Sequence, residues 1–157
     1  MEAAIKELQL AGFRLGDNLF AIDIMRIKEI VTPQRLSSLP VQHSAFDGMI
    51  NLRGQVIPVL NLRIRFGMSA RPEGPGKLII VSVAGRQIAL AVDDLDEVFS
   101  VSVADLKPPP DMVEGIGTAL VIAVCLWSEQ MYLVLHIDAL FSGGEQQFLA
   151  EREGKAW

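Results

Sequence analysis

The chain has 157 residues, half of them hydrophobic, with a net charge of −5 and a mean hydropathy of +0.34. That apolar content excludes wholesale disorder and suits one domain of ordinary size, or two very small ones sharing a core. The acidic balance excludes a general nucleic-acid binder, which needs a basic face to meet phosphates, and a lone cysteine, Cys125, excludes an internal disulfide or a cysteine-based zinc site.

The N-terminus, Met1-Glu2-Ala3-Ala4-Ile5-Lys6-Glu7, lacks the apolar run of a signal peptide. Apolar and polar residues then alternate through Leu8-Gln9-Leu10-Ala11-Gly12-Phe13-Arg14-Leu15, predicting a half-buried strand. Gly16-Asp17-Asn18 reads as a turn and Leu19-Phe20-Ala21-Ile22-Asp23-Ile24 as the returning strand. Ile24, Ile27 and Ile30 follow at a spacing of three. In a strand they alternate faces and in a helical turn they form one stripe. Both core packing and an apolar groove open to a partner helix fit them, composition favouring core.

Residues 40–46 have room for one short helical turn. The stretch Gly48-Met49-Ile50-Asn51-Leu52-Arg53-Gly54-Gln55-Val56-Ile57-Pro58-Val59-Leu60-Asn61-Leu62 reads as a hairpin interrupted by glycines and one arginine. Gly48 and Gly54 permit backbone angles closed to residues with a Cβ. Pro58 removes a ladder donor and predicts an edge strand or a bulge. An arginine between tight turns is placed for a specific contact. Ser69-Ala70-Arg71-Pro72-Glu73-Gly74-Pro75-Gly76 marks a connection, and no Lys-Ser or Lys-Thr follows it to make a phosphate loop.

A second hairpin repeats the plan: Leu78-Ile79-Ile80-Val81-Ser82-Val83, a turn at Ala84-Gly85-Arg86, then Gln87-Ile88-Ala89-Leu90-Ala91-Val92. The run from Ala21 to Ile30 aligns without a gap on that from Ala89 to Val98, placing Ile24 on Val92, Ile27 on Leu95, Glu29 on Glu97 and Ile30 on Val98. Asp93-Asp94-Leu95-Asp96-Glu97 lacks the spacing and central glycine of a calcium loop and reads as a solvated turn. Lys107-Pro108-Pro109-Pro110 is extended. Cys125 lies in the apolar run 121–127, where a small buried hydrophobe is the expectation and which is far too short to span a bilayer.

Ile57 to Leu62 is echoed by Tyr132 to Ile137, at an offset that implies an insertion in the second copy within 117–130. Residues 145–152 predict a final helix. Two copies are too few for a solenoid and fit two small antiparallel β-barrels packed together. The copies differ in charge: residues 1–71 hold nine Lys or Arg against six Asp or Glu, and 72–157 hold five against thirteen. No catalytic constellation emerges. His43 and His136 are the only histidines, and His136 is read as a structural residue within a strand, with nothing visible to activate Cys125 beside it.

The order and spacing of these segments resemble the CheW family, the adaptors of bacterial chemosensory arrays. The likeness runs from about 10 to 141 through Phe13-Arg14-Leu15-Gly16, Phe20-Ala21-Ile22-Asp23, Glu29-Ile30 and the 48–62 stretch with Arg65-Phe66-Gly67. It continues in Val92-Asp93 and Leu135-His136-Ile137-Asp138-Ala139-Leu140-Phe141. The resemblance implies a mostly β fold of two SH3-like five-stranded β-barrel subdomains sharing a hydrophobic core, with short helices at the periphery. It implies a single CheW-like domain over 8–142, one barrel taking about 14–68 plus terminal strand segments and the other about 77–141, before a tail at 143–157 with a short helix.

It implies no enzyme activity, cofactor or metal, and cytoplasmic work at membrane chemoreceptor arrays without membrane insertion or nucleic acid. The implied partners are the regulatory domain of a CheA-type histidine kinase, the cytoplasmic hairpin tip of methyl-accepting chemoreceptors, and further CheW copies in array rings. A scaffold of a non-motility chemosensory pathway is the alternative. The positions matching the receptor site are Ile24, Ile27, Ile30 and Leu95. Glu29 and Arg53 match a pair near that surface, and Gly48, Asn51, Gly54 and Pro58 form the turn motif. Residues that bind the kinase are not assigned. The chain departs from the family in the apolar segment 118–127 after Gly115-Ile116, an extra strand or a register change, and in His136, where an acidic residue is common.

Overall fold

The computed structural model describes residues 6–38, 45–109 and 120–141. Ten strands run in order: β1 (Glu7–Leu15), β2 (Asn18–Asp23), β3 (Ile27–Val31), β4 (Phe46–Leu52), β5 (Gln55–Asn61), β6 (Lys77–Val83), β7 (Arg86–Val92), β8 (Asp94–Ser102), β9 (Val121–Trp127) and β10 (Gln130–Leu135). One helical turn, α1 (Leu62–Arg65), follows β5, and 3₁₀ turns stand at Ile24–Arg26, Val103–Asp105 and Ile137–Leu140. The fold is mostly β, as expected, and forms two five-stranded sheets. The first has the order β8-β1-β2-β10-β9 and the second β3-β6-β7-β5-β4.

The repeat is visible strand by strand, β1–β5 matching β6–β10, but the sheets exchange strands between copies. β1 and β2 pair with β8 and β10, while β6 and β7 pair with β3 and β5. The division expected, about 14–68 plus terminal strand segments against about 77–141, is therefore corrected: one sheet spans 27–92, and the other joins 7–23 to 94–135. Internal similarity reports which strands are equivalent, not which are ladder partners.

The edges of each sheet are drawn together by a single bridge rather than a ladder. Ser37 bridges Met49 in the second sheet and Lys107 bridges Val124 in the first, at equivalent positions. Tight turns in the left-handed region close three hairpins, at Arg53-Gly54, Ala84-Gly85 and Ser128-Glu129. Such two-residue turns match the right-handed twist of their strands.

Three apolar clusters follow from the alternation of side chains. Phe13, Leu15, Phe20, Ile22, Ile79, Val81, Ile88 and Leu90 join the cluster shared by the two sheets. The intervening residues of the same strands serve each sheet's own interior: Leu10, Leu19 and Ala21 in the first, Leu78, Ile80, Ala89 and Ala91 in the second. The first interior is aromatic, with Phe99 stacked on Trp127 at 4.6 Å and tilted on Tyr132 at 4.7 Å. The second is aliphatic.

Several local expectations change. β1 is not half-buried, because Leu10 to Phe13 are all buried between the two clusters. β5, which carries Pro58, lies inside the second sheet rather than at its edge. Its ladder to β7 starts at Val59, just past the proline, and the β4–β5 ladder is bulged next to it between Phe46 and Gly48. His136 is exposed and follows β10 rather than lying within it, one step before the last 3₁₀ turn.

Segment 118–127 is no extra strand: its described part is β9, the counterpart of β4, with the same two-residue turn and the same bulge opposite β10. The surplus length of the second copy therefore precedes Val121, in the connection after β8. Most of the turn expected at 40–46 lies outside the described residues, as do Gly115-Ile116, Pro110 and the helix expected at 145–152. Cys125 is buried, as expected, and burial pushes its thiol pKa up.

Candidate functional site

The chain passes between the sheets twice, through Ile24–Arg26 from β2 to β3, and at Asp93 from β7 to β8. Both crossings launch an edge strand, and both edge strands bulge near their start. In β3, Ile27 pairs with Val81, Glu29 with Ile80 and Ile30 with Ile79, so Lys28 is the extra residue. Ladder partners share a face. The bulge thus turns Ile27 and Ile30 to one side, that of Val81 and Ile79 in the shared cluster, and Glu29 to the other. In β8, Leu95 pairs with Phe13 and Val98 with Ala11, so the same irregularity puts Leu95 and Val98 on one face.

Ile27 and Leu95, from different sheets, are half-buried against the same shared cluster. Ile24 is half-buried in the first crossing, while Ile30 and Val98 are 41% and 55% exposed. Val98 falls on Ile30 in the repeat, and the matching bulge gives it the same orientation. Each edge strand therefore offers an apolar pair, one member anchored in the core and the other open.

Ion pairs secure both crossings. At the first, Arg26 Nη2 donates to the Ser82 carbonyl of β6 at 2.9 Å and to Asp138 Oδ1 at 2.7 Å. Asp23 accepts from Met25 N–H at 2.9 Å and caps the 3₁₀ turn. At the second, Arg63 donates through Nε and Nη2 to the two Asp93 oxygens at 2.8 and 2.6 Å, and Gly16 N–H donates to Asp93 Oδ2 at 2.7 Å. The expectation that Asp93 belongs to a solvated acidic turn is corrected: its side chain is enclosed and bonded to Arg63 and Gly16. Partial burial pushes its carboxyl pKa up, but the Arg63 guanidinium and the Gly16 N–H outweigh that and hold it below the ordinary value. The Arg26 bond likewise lowers Asp138, against partial desolvation. Arg26, Arg63 and Asp138 carried no signal in sequence beyond their places in the repeat.

Around the second sheet, the β4–β5 hairpin returns towards β3. Asn51 Oδ1 accepts from Gly54 N–H at 2.9 Å and ties the turn. The turn holds Arg53 in the left-handed region at φ 51° and its guanidinium pairs with Glu29. Gly48 has φ 151°, and a Cβ there would stand 2.5 Å from the Ser37 carbonyl oxygen, so the bridge to Ser37 needs the glycine. The expected turn residues Gly48, Asn51, Gly54 and Pro58 thus lie in one hairpin, and Glu29 meets Arg53.

Elsewhere, Tyr132 donates to Asp96 from inside the first sheet, and burial with that acceptor raises the phenol pKa, keeping it a neutral donor. A cleft of about 150 Å³ lies beside Asp47, Asn61, Arg63 and Asp93, whose polar groups bond among themselves. Among the described residues no three His, Cys, Asp or Glu gather as a metal site, and no helix is long and apolar enough to cross a membrane.

Known proteins resemble this chain in sequence and in fold. The model of the CheW-like domain matches residues 9–145. A chemotaxis protein CheW of Treponema pallidum is 34% identical over 150 residues, covering 92% of this chain and 88% of that protein. Protein FrzA of Myxococcus xanthus is 30% identical over 105 residues, covering 66% of each. Among solved structures, the scaffolding protein TtCheW of Thermoanaerobacter tengcongensis has a TM-score of 0.79 at 30% identity, covering 87% of this chain and 94% of that one.

Proposed function

The chain belongs to the CheW-like family of non-catalytic chemotaxis scaffolds, and from that premise we propose that it is an adaptor coupling methyl-accepting chemoreceptors to a CheA-type histidine kinase. In this reading the cytoplasmic hairpin tip of a receptor lays its apolar side along the seam between the sheets. Ile24, Ile27 and Ile30 meet it from one crossing and Leu95 from the other. The kinase's regulatory domain binds elsewhere, and the assembly works in the cytoplasm beneath the receptors, with further copies of the chain joining array rings.

One observation carries the reading. Two edge strands from different sheets each present an anchored and an open apolar residue beside one shared cluster. A helix placed there gains apolar contact at about 25 cal/mol per Å² buried, without any rearrangement of the core. The Arg53–Glu29 pair borders the same strand and is exposed, so its worth to folding is about 0–1 kcal/mol. Its role is to hold the hairpin arginine and β3 in place for the receptor.

Reconstitution of receptor, kinase and adaptor tests this. Kinase activity rises when the wild-type chain is added and does so far less with Arg53→Ala, while the melting temperature of the variant stays close to wild type. Full kinase activation by Arg53→Ala would refute the role given to that pair, and no activation by the wild type would refute the adaptor reading.

A further inference from the structure

The two crossings are the places where relative movement of the sheets must be absorbed, and their fastenings are unequal. Each crossing residue grips one group in each sheet. Arg26 holds Ser82 of the second sheet and Asp138 after the last strand of the first. Asp93 holds Gly16 in the first hairpin of the first sheet and Arg63 after β5 of the second. The Asp93 fastening is bidentate, with side chains only 12% and 19% exposed. Arg26 and Asp138 are 33% and 54% exposed, with one short bond and a second at 3.5 Å. The exposed pair is screened by salt and competes with water; the enclosed one does so far less.

We propose that Asp93 is the fixed hinge between the sheets and that Arg26–Asp138 is a clasp that yields. Arg26 lies between Ile24 and Ile27, so the state of the clasp sets where those two side chains stand relative to the first sheet. The clasp then acts as a positioning device for recognition, and Asp138, remote in sequence from β3, tunes the seam. The receptor consequence rests on the adaptor reading; the movement itself does not.

Spin labels at Lys28→Cys on β3 and Glu97→Cys on β8, both exposed and on different sheets, report the separation directly. Native Cys125 stays in place because it is buried. Pulsed dipolar spectroscopy gives a narrow distance distribution for the wild-type background at low salt and one about twice as wide for Asp138→Asn and for Arg26→Gln. About 1 M salt, where the Debye length is about 3 Å, widens the wild-type distribution and leaves the Asp138→Asn distribution unchanged. Asp93→Asn lowers the denaturation midpoint without widening the distribution.

Unchanged width in Asp138→Asn and Arg26→Gln overturns the clasp. Widening by Asp93→Asn at wild-type stability overturns the assignment of the hinge. Titration with a receptor cytoplasmic hairpin fragment is then expected to show about threefold weaker binding by Asp138→Asn, since the competent arrangement is populated for less of the time. Widening with unchanged affinity leaves the clasp standing and removes the seam as the receptor site.

Discussion

At the first crossing a cation on the crossing segment, Arg26, meets a carboxylate after the fifth strand of the second copy, Asp138; at the second a carboxylate, Asp93, meets a cation, Arg63, in the equivalent place after the fifth strand of the first copy. Polarity is reversed while topology is kept. Both crossings therefore carry an ionic and hydrogen-bonded link, with the signs exchanged. What separates the two is enclosure. Removing one partner of an enclosed pair strands the other charge and costs about 3 kcal/mol, whereas a pair in solvent is worth about 0–1 kcal/mol.

The widest contrast comes from alanine at the two carboxylates. Asp93→Ala is expected to lower unfolding free energy by about 3 kcal/mol, and Asp138→Ala by less than about 1 kcal/mol, read from urea midpoints. Equal losses would erase the distinction. The same pair predicts the acid limb of stability. The folded pKa of Asp93 lies below its unfolded value, so its contribution is fully present above about pH 4 and is lost as pH falls through about 3.9 towards the folded value. Asp93→Asn should flatten that limb more than Asp138→Asn does.

A second contrast sets Gly48 against Ala123, which occupies the equivalent place beside the equivalent bulge. Gly48→Ala is expected to cost about 2 kcal/mol through its backbone angle and the clash with Ser37, whereas Ala123→Gly costs about 0.5–1 kcal/mol, mainly in unfolded-chain entropy. Thermal unfolding of both variants measures this, and a neutral Gly48→Ala would show that the Ser37 bridge is dispensable. The smallest effect concerns helix entry. Asn61 accepts from Ile64 N–H, but its counterpart His136 makes no such cap. His136→Asn is expected to stabilise the chain by about 0.5 kcal/mol, and a loss of stability would mean that the second turn cannot accept a cap.

Much of the architecture is legible in sequence because it is local. Alternation, two-residue turns and a gapless repeat announce the hairpins from Leu8 to Ile24 and from Leu78 to Val92. The exchange of strands is not legible, since β2 to β10 and β7 to β5 are parallel pairings between distant segments that leave no mark on either. The isoleucine spacing of three becomes interpretable only with the bulge at Lys28, which the ladder reveals and periodicity does not. Resemblance supplied Ile24, Ile27, Ile30 and Leu95 as receptor positions but left out Val98, whose matching exposure follows from its own bulge. Asp93 was hidden in an acidic run because sequence shows its charged neighbours and not the arginine, thirty positions earlier, that encloses it.

The central claim is tested most directly by calorimetric titration into the regulatory domain of the cognate kinase, with the wild-type chain beside an Ile27→Asp, Leu95→Asp variant. The account predicts saturable binding by both, because the apolar seam is kept for the receptor and the kinase meets another surface. Absence of binding by the wild type, with the protein folded, would contradict the adaptor reading, and loss in the variant alone would place the kinase in the seam.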